Sequence, residues 1–283
     1  MDVTIHTAAN GSVIDIEYYQ YEPSAGAAWT FVVLFGLATV FHVVLLFIIR
    51  AWYFIPLIIG GVCDPGETFG YFGRAWSHRE PNSIKPWVTQ ELLILCAPPL
   101  VAATVYMILS RLVRALQAEP HSMIRPARIT FIFVFNDVVT LLTQIAGAGV
   151  QVTGDQHVMN IGKKAVIAGL MIGIFVFALF ILLTSKVHVR LKKHSTPVLK
   201  QNPHLRWKRY MWMLYIVSVA IMARNVVRIV HFAEGSEGWV SRHEAMIYVF
   251  DAFLMFLVLA VLIVLHPQVI IRRTRRLAEE VER

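Results

Sequence analysis

Long apolar runs separated by short polar stretches dominate the chain from about residue 28 onward. Crossing a hydrocarbon core of about 30 Å takes about 20 apolar helical residues. Seven segments qualify, at 28–49, 52–72, 90–112, 129–150, 165–185, 210–233 and 245–265. The runs are continuous and lack the period-two alternation of a lipid-facing barrel strand. Single strands would leave backbone groups unpaired in lipid, so the pattern predicts helices. The expectation is an all-α integral membrane protein, a bundle of seven transmembrane helices. The second segment is the weakest, because Asp64-Pro65-Gly66-Glu67 interrupts it. Asp64 as N-cap, Pro65 as first helical residue and Glu67 as third would make two half-helices. Alternatively the span ends before Asp64 and the rest is a loop. Pro98-Pro99 in the third segment removes two backbone donors, frees the carbonyls of Ile94 and Leu95, and predicts a kink.

Composition supports the membrane reading. Of 283 residues, 57% are hydrophobic and 16% charged, with a mean hydropathy of +0.61. This excludes a disordered chain, a collagen-like chain, a disulfide-stapled module and an ordinary soluble enzyme. The net charge of +8 is explained by orientation. With the amino end outside, 18 Lys and Arg fall on the inner side, 6 on the outer side, and two, Arg224 and Arg228, within a span. That asymmetry predicts the amino end out and the carboxyl end cytoplasmic. The domains expected are an acidic extracellular tail (1–27), a seven-helix membrane domain (28–266) and a basic cytoplasmic tail (267–283). No nucleic-acid partner is expected, and the basic inner loops are placed to touch anionic lipid headgroups. The first 28 residues carry no leading apolar run, so no cleavable signal peptide is expected. Asn10-Gly11-Ser12 is a glycosylation sequon on the outer tail, and whether Cys63 and Cys96 pair is open.

Ionisable groups inside a span cost roughly 2.5 to 3.5 kcal/mol on insertion scales and should face the bundle interior. Arg224, Arg228 and His231 are spaced four then three, hence on one face of the sixth helix. Glu244, Tyr248 and Asp251 repeat that spacing in the seventh. Asp137 and Gln144, seven apart, share a face of the fourth. At 1.5 Å per residue most of these fall in the outer half, with Asp137 nearer the middle. The three stripes are expected to meet in one polar cluster, which with Glu67 forms the candidate substrate-binding set. Gly169 and Gly173 form a small-residue face for a neighbour within the bundle. His42 and His266 read as packed histidines. No metal-ligand set, phosphate loop or nucleophile elbow is present, so neither catalytic residues nor cofactor are expected.

Over roughly residues 30 to 270 the chain resembles the RTA-like family of fungal lipid-translocating exporters. The resemblance rests on Glu67-Thr-Phe-Gly70-Tyr71-Phe-Gly-Arg74; on Gln90, Ala97-Pro98, Ala102-Ala103 and Tyr106; and on Asp137-Val-Val with Gln144 and Gly147. It continues through Arg224-x-x-x-Arg228, Gly235-x-x-Gly238, Glu244 with Tyr248 and Asp251, and His266-Pro267. Two positions depart from the pattern: His231 stands where the resemblance implies a glutamate, and Gly173 where it implies a glutamine. The resemblance implies a seven-helix plasma-membrane protein without an ATP-binding module. It further implies export or flipping of amphiphiles such as sphingoid long-chain bases, resistance to toxic compounds, and in some members porphyrin-related uptake.

The reading that follows is a membrane lipid translocase rather than an enzyme. The alternative is a seven-helix receptor or sensor of lipid-like ligands, for which a cytosolic partner on residues 186–209 would speak. A membrane-embedded lipid hydrolase ranks last, because no nucleophile–base pair can be named.

Overall fold

The computed structural model describes residues 4–7, 13–17, 21, 23–59, 67–80, 83–122, 124–150, 156–234 and 238–281. Two short strands, β1 (Thr4–Thr7) and β2 (Val13–Glu17), pair antiparallel with Ile5 opposite Ile16. This hairpin is a departure from the all-α expectation for the chain. The rest of the described chain is helical: α1 (Ala25–Ile49), α2 (Ile55–Ile58), α3 (Glu67–Ser77), α4 (Ile84–Ala115), α5 (Pro126–Val150), α6 (Gln156–Lys193), α7 (Pro197–Gln201) and α8 (Trp207–Glu234). There follow α9 (Trp239–Arg242), α10 (Glu244–Ile247), a π-helical stretch (Tyr248–Phe253), α11 (Leu254–Val264) and α12 (Gln268–Val281). Ser24 caps α1 by accepting the Ala27 N–H, and Arg50 ends it in the left-handed region at φ 46°.

Among the described residues, six stretches are long and apolar enough to span a bilayer: Ala25–Ile49, Ile84–Ala115, Arg128–Gly147, His157–Lys193, Trp207–Glu234 and Glu244–Leu277. Of the second predicted span, the described residues form a 3₁₀ turn at Trp52–Phe54, α2 and the start of α3. The expected cap at Asp64 and Pro65 lies outside the described residues, as do Asn10, Cys63 and Gly235.

Burial is inverted relative to a water-soluble domain. Phe47, Ile48 and Phe131 are 63%, 71% and 71% exposed, whereas Arg74 and Arg224 are 0% and 1% exposed. An apolar exterior with a polar interior is what lipid as solvent selects. The long helix α4 is the hub, packed against α2, α3, α5 and α8. It runs unbroken through Pro98-Pro99. Glycines set two close approaches. A side chain at Gly70 would meet Ile94 at 2.6 Å, and one at Gly73 would meet the Gln90 backbone at 3.1 Å, so α3 lies directly on α4. Gly147 and Gly162 pack against each other, where a Cβ on either would come within 2.6 Å of the other's carbonyl oxygen. Gly169 faces Thr143 and Gln144, so the small-residue face of α6 serves α5, as expected for a neighbour within the bundle.

Candidate functional site

The glycine contact brings the buried face of α3 onto the core of the bundle. That face repeats Glu67, Gly70, Tyr71, Arg74 and Ser77, three or four apart, while Phe69 and Phe72 point outward. On α4 the facing residues are Gln90, Glu91 and Ile94, all buried. On α8 they are Arg224, Arg228 and His231, buried as their four-then-three spacing predicts. The fourth contributor is the π-helical stretch, which holds Tyr248 and Asp251. A π turn bonds to i+5 and inserts one residue into the helix; such bulges often sit at functional sites.

These residues form a continuous chain of ion pairs and hydrogen bonds. Asp251 is its centre. Arg224 donates Nε–H to Asp251 Oδ1 at 2.5 Å, and Arg228 Nη2 lies 2.7 Å from Asp251 Oδ2. Arg228 Nη1 reaches Glu91 Oε2 at 3.5 Å. Gln90 donates to Glu91 at 3.4 Å and accepts from Arg74 at 3.5 Å. Arg74 then donates to Tyr248 Oη (2.9 Å), Tyr21 Oη (2.6 Å) and Glu244 Oε1 (3.0 Å). Glu244 also accepts the Ser24 N–H at 2.8 Å, tying the start of α1 to the network. Arg224 Nη2 donates to the Ile94 carbonyl at 2.8 Å. Pro98 frees that carbonyl by lacking the N–H that would otherwise bond it, so proline and arginine satisfy one another. An aromatic layer covers this region: Phe31 stacks on Tyr248 at 5.5 Å and Phe35 on Tyr71 at 5.7 Å. Tyr21 lies ahead of the first span, and burial pushes its phenol above the ordinary range although Arg74 opposes the shift, so it stays neutral.

Two buried carboxylates flank this paired network without belonging to it. Glu67 lies near enough to Asp251, Arg224 and Arg228 to interact with their charges, yet neither of its oxygens carries a hydrogen bond. Asp137 packs beside Tyr106 on the other side, and its Oδ2 is also buried without a hydrogen bond. Asp137, Gln144 and Arg224 line a cavity with Pro98, Pro99 and Gly173, between α4, α5, α6 and α8. It holds about 30 Å³, room for water and too little for a lipid chain.

Seven of the nine expected binding residues therefore come together around Arg224 and Asp251: Glu67, Arg224, Arg228, His231, Glu244, Tyr248 and Asp251. Of these, Glu244 and Tyr248 join through Arg74, and His231 sits beside Arg228 with Nε2 unbonded. Asp137 and Gln144 occupy the neighbouring cavity. The sequence reading missed Glu91, although it lies inside the third predicted span. Arg74, placed among the outer-side charges by the sequence, is buried within the network. Glu91 stands at the start of its span, where a charge can equally snorkel to water, so the test that marked Asp137 does not single it out.

The family model described as RTA1 like protein matches residues 57–274. The chain belongs to this RTA1-like family. It is 37% identical over 216 residues to Protein RTM1 of Saccharomyces cerevisiae, covering 75% of this chain and 66% of that protein. It is 31% identical over 276 residues to Protoporphyrin uptake protein 1 of the same yeast, covering 85% and 89%. It is 25% identical over 271 residues to the yeast Sphingoid long-chain base transporter RSB1, covering 84% and 70%. No solved structure matches the chain. Like the apolar helices, the RTA1-like relatives make this a multi-pass membrane protein.

Proposed function

We propose that the protein moves amphiphiles with a cationic head, such as sphingoid long-chain bases, across the plasma membrane. The observation that carries this reading is two buried carboxyls outside the ion pairs, Glu67 with neither oxygen hydrogen-bonded and Asp137 with its Oδ2 unbonded, beside a network of paired charges. Buried polar atoms without partners are rare and call for an explanation. An ammonium head supplies what both lack: several N–H donors and a positive charge. The relative named for sphingoid bases supports this class. The relative named for protoporphyrin supports transport as well, but a porphyrin brings carboxylates of its own, which Glu67 and Asp137 would repel.

In this reading the second span completes the seven as a broken helix, built from the 3₁₀ turn and α2 on one side and α3 on the other, with the amino end outside. Broken helices commonly flank transporter binding sites because their ends offer unpaired polar groups. The narrow cavity represents a closed state, and Asp137 and Gln144 accept the head as α5 and α6 part from α4 and α8. Arg224 and Arg228 keep the carboxylate of Asp251 neutralised and so reserve the free acids for the ligand.

Purified protein in liposomes is expected to carry a fluorescent sphingoid base between leaflets faster than protein-free liposomes. It is expected to leave a neutral diacylglycerol analogue at the background rate. Equal rates with and without protein overturn the reading.

A further inference from the structure

At the opposite end of α8 from His231, the loop after α6 and the start of α8 line an open recess of about 500 Å³. Four cations line it: Lys192 from the end of α6, Arg206 from the loop, and Lys208 and Arg209 from the first turn of α8. All four are exposed, and none makes an ion pair among the described residues. Residues 156–233 contain no Asp or Glu. The walls are firm. Trp207 is buried edge-on to His188 at 5.4 Å, and Thr196 donates to the Leu116 carbonyl at 2.8 Å. A helix start adds the positive end of its dipole.

The recess lies where the apolar exterior stops. On α8, Lys208, Trp212 and Ile216 are spaced by four along one exposed face, with Trp212 62% exposed. On α6, exposed Val189 precedes Lys192 by one turn, in line with exposed Leu182. Two lipid-facing columns therefore each end in a cation of the recess, and an exposed tryptophan marks the boundary, as aromatic residues do at membrane–water interfaces. Lipid phosphates occupy that level.

We propose that this recess is a binding site for a polyanionic phospholipid headgroup, one carrying a phosphate monoester in addition to the diester. Four unpaired cations around one recess exceed the single charge of a phosphodiester. The volume suits a phosphorylated sugar headgroup, since small-molecule sites run to about 300–1,000 Å³. The acyl chains then lie along the Trp212–Ile216 and Leu182–Val189 columns. Free inorganic phosphate shares the headgroup chemistry and lacks those chains. The site is remote from Asp251 and does not depend on the transport reading.

Native mass spectrometry of the full chain in detergent, titrated with dioctanoyl phosphatidylinositol 4-phosphate, tests the assignment. The Lys208→Gln/Arg209→Gln variant is expected to weaken binding at least tenfold. Lys193→Gln/Lys200→Gln removes the same charge from exposed positions of the same loop outside the recess, and is expected to change binding less than twofold. Equal weakening by both pairs would mean net charge alone and overturn the site. Dioctanoyl phosphatidylcholine binding as tightly, or inorganic phosphate displacing the probe at equal concentration, would overturn the headgroup assignment. Both variants replace exposed side chains, and an unchanged elution profile in size-exclusion chromatography confirms that each is folded.

Discussion

Two adjoining regions of the core share Arg224 and differ in almost everything else. On one side, between α3, α4, α8 and the π-helical stretch, every guanidinium meets a carboxylate, and Glu67 at the edge is the carboxyl left unbonded. On the other, between α4, α5, α6 and α8, Asp137 has an unbonded oxygen and faces a small cavity. The first region has the form of a scaffold: opposite charges taken out of water hold four helices in register. The second has the form of a vacancy lined by one carboxyl that has no ionic partner. A buried charge therefore says little about function until its partner is known. A paired ion is weak evidence even for net stability, whereas an unpaired one is costly enough to require a reason.

The comparison breaks most visibly at Asp251. Asp251→Ala leaves Arg224 and Arg228 facing each other in a buried site, with Glu91, the Ile94 carbonyl and Asn225 Oδ1 as their remaining partners. Removing one member of a buried pair typically costs about 3–5 kcal/mol. The variant is expected to lose most of its folded yield and its melting transition in detergent-solubilised size-exclusion assays. A variant that melts with the native protein would show that the paired side is no scaffold.

Asp137→Asn is the converse experiment and sharpens the contrast. The substitution keeps the shape and removes a charge with no ionic partner, so the fold is expected to survive with an unchanged melting transition. Flux of labelled sphingoid base in liposomes is expected to fall about tenfold, which corresponds to roughly 1.4 kcal/mol. Loss of stability with normal flux would reverse the roles assigned to the two sides.

How much of this contrast could be read in advance depends on the range of each interaction. Arg224, Arg228 and Asp251 stand out as charges in apolar runs, and their helical spacing puts them on the correct faces. The freed Ile94 carbonyl follows from Pro98, although nothing local says that Arg224 would take it. Arg74 and Glu91 are harder, because both lie where an apolar run meets a polar stretch. There a charge can equally snorkel to water. What settles Arg74 is the approach of Gly70 and Gly73 to α4, a contact between different helices. The pairing of Asp251 and the isolation of Asp137 likewise arise only when the helices assemble. The same holds for the second span: the inward polar face of α3 shows only once its neighbours are in place.

The smallest expected effect lies at the edge of the paired side, in the segment before α1. Tyr21 accepts from Arg74 Nη2 at 2.6 Å, and its ring lies 5.5 Å from the guanidinium carbon. Tyr21→Phe removes the hydroxyl and keeps the ring, so Arg74 retains Glu244, Tyr248 and Gln90. One hydrogen bond of this kind contributes about 0.5–1.5 kcal/mol net, and up to about 3 when a charge takes part. Because Arg74 has other acceptors, the loss should stay near the lower figure. The expected result is a melting transition lowered by a few degrees with flux unchanged. That outcome fits a scaffold whose many partners share the load. A drop in flux comparable with that of Asp137→Asn, at unchanged stability, would instead place the segment before α1 on the path of the ligand and extend the working half of the core to the mouth of the bundle.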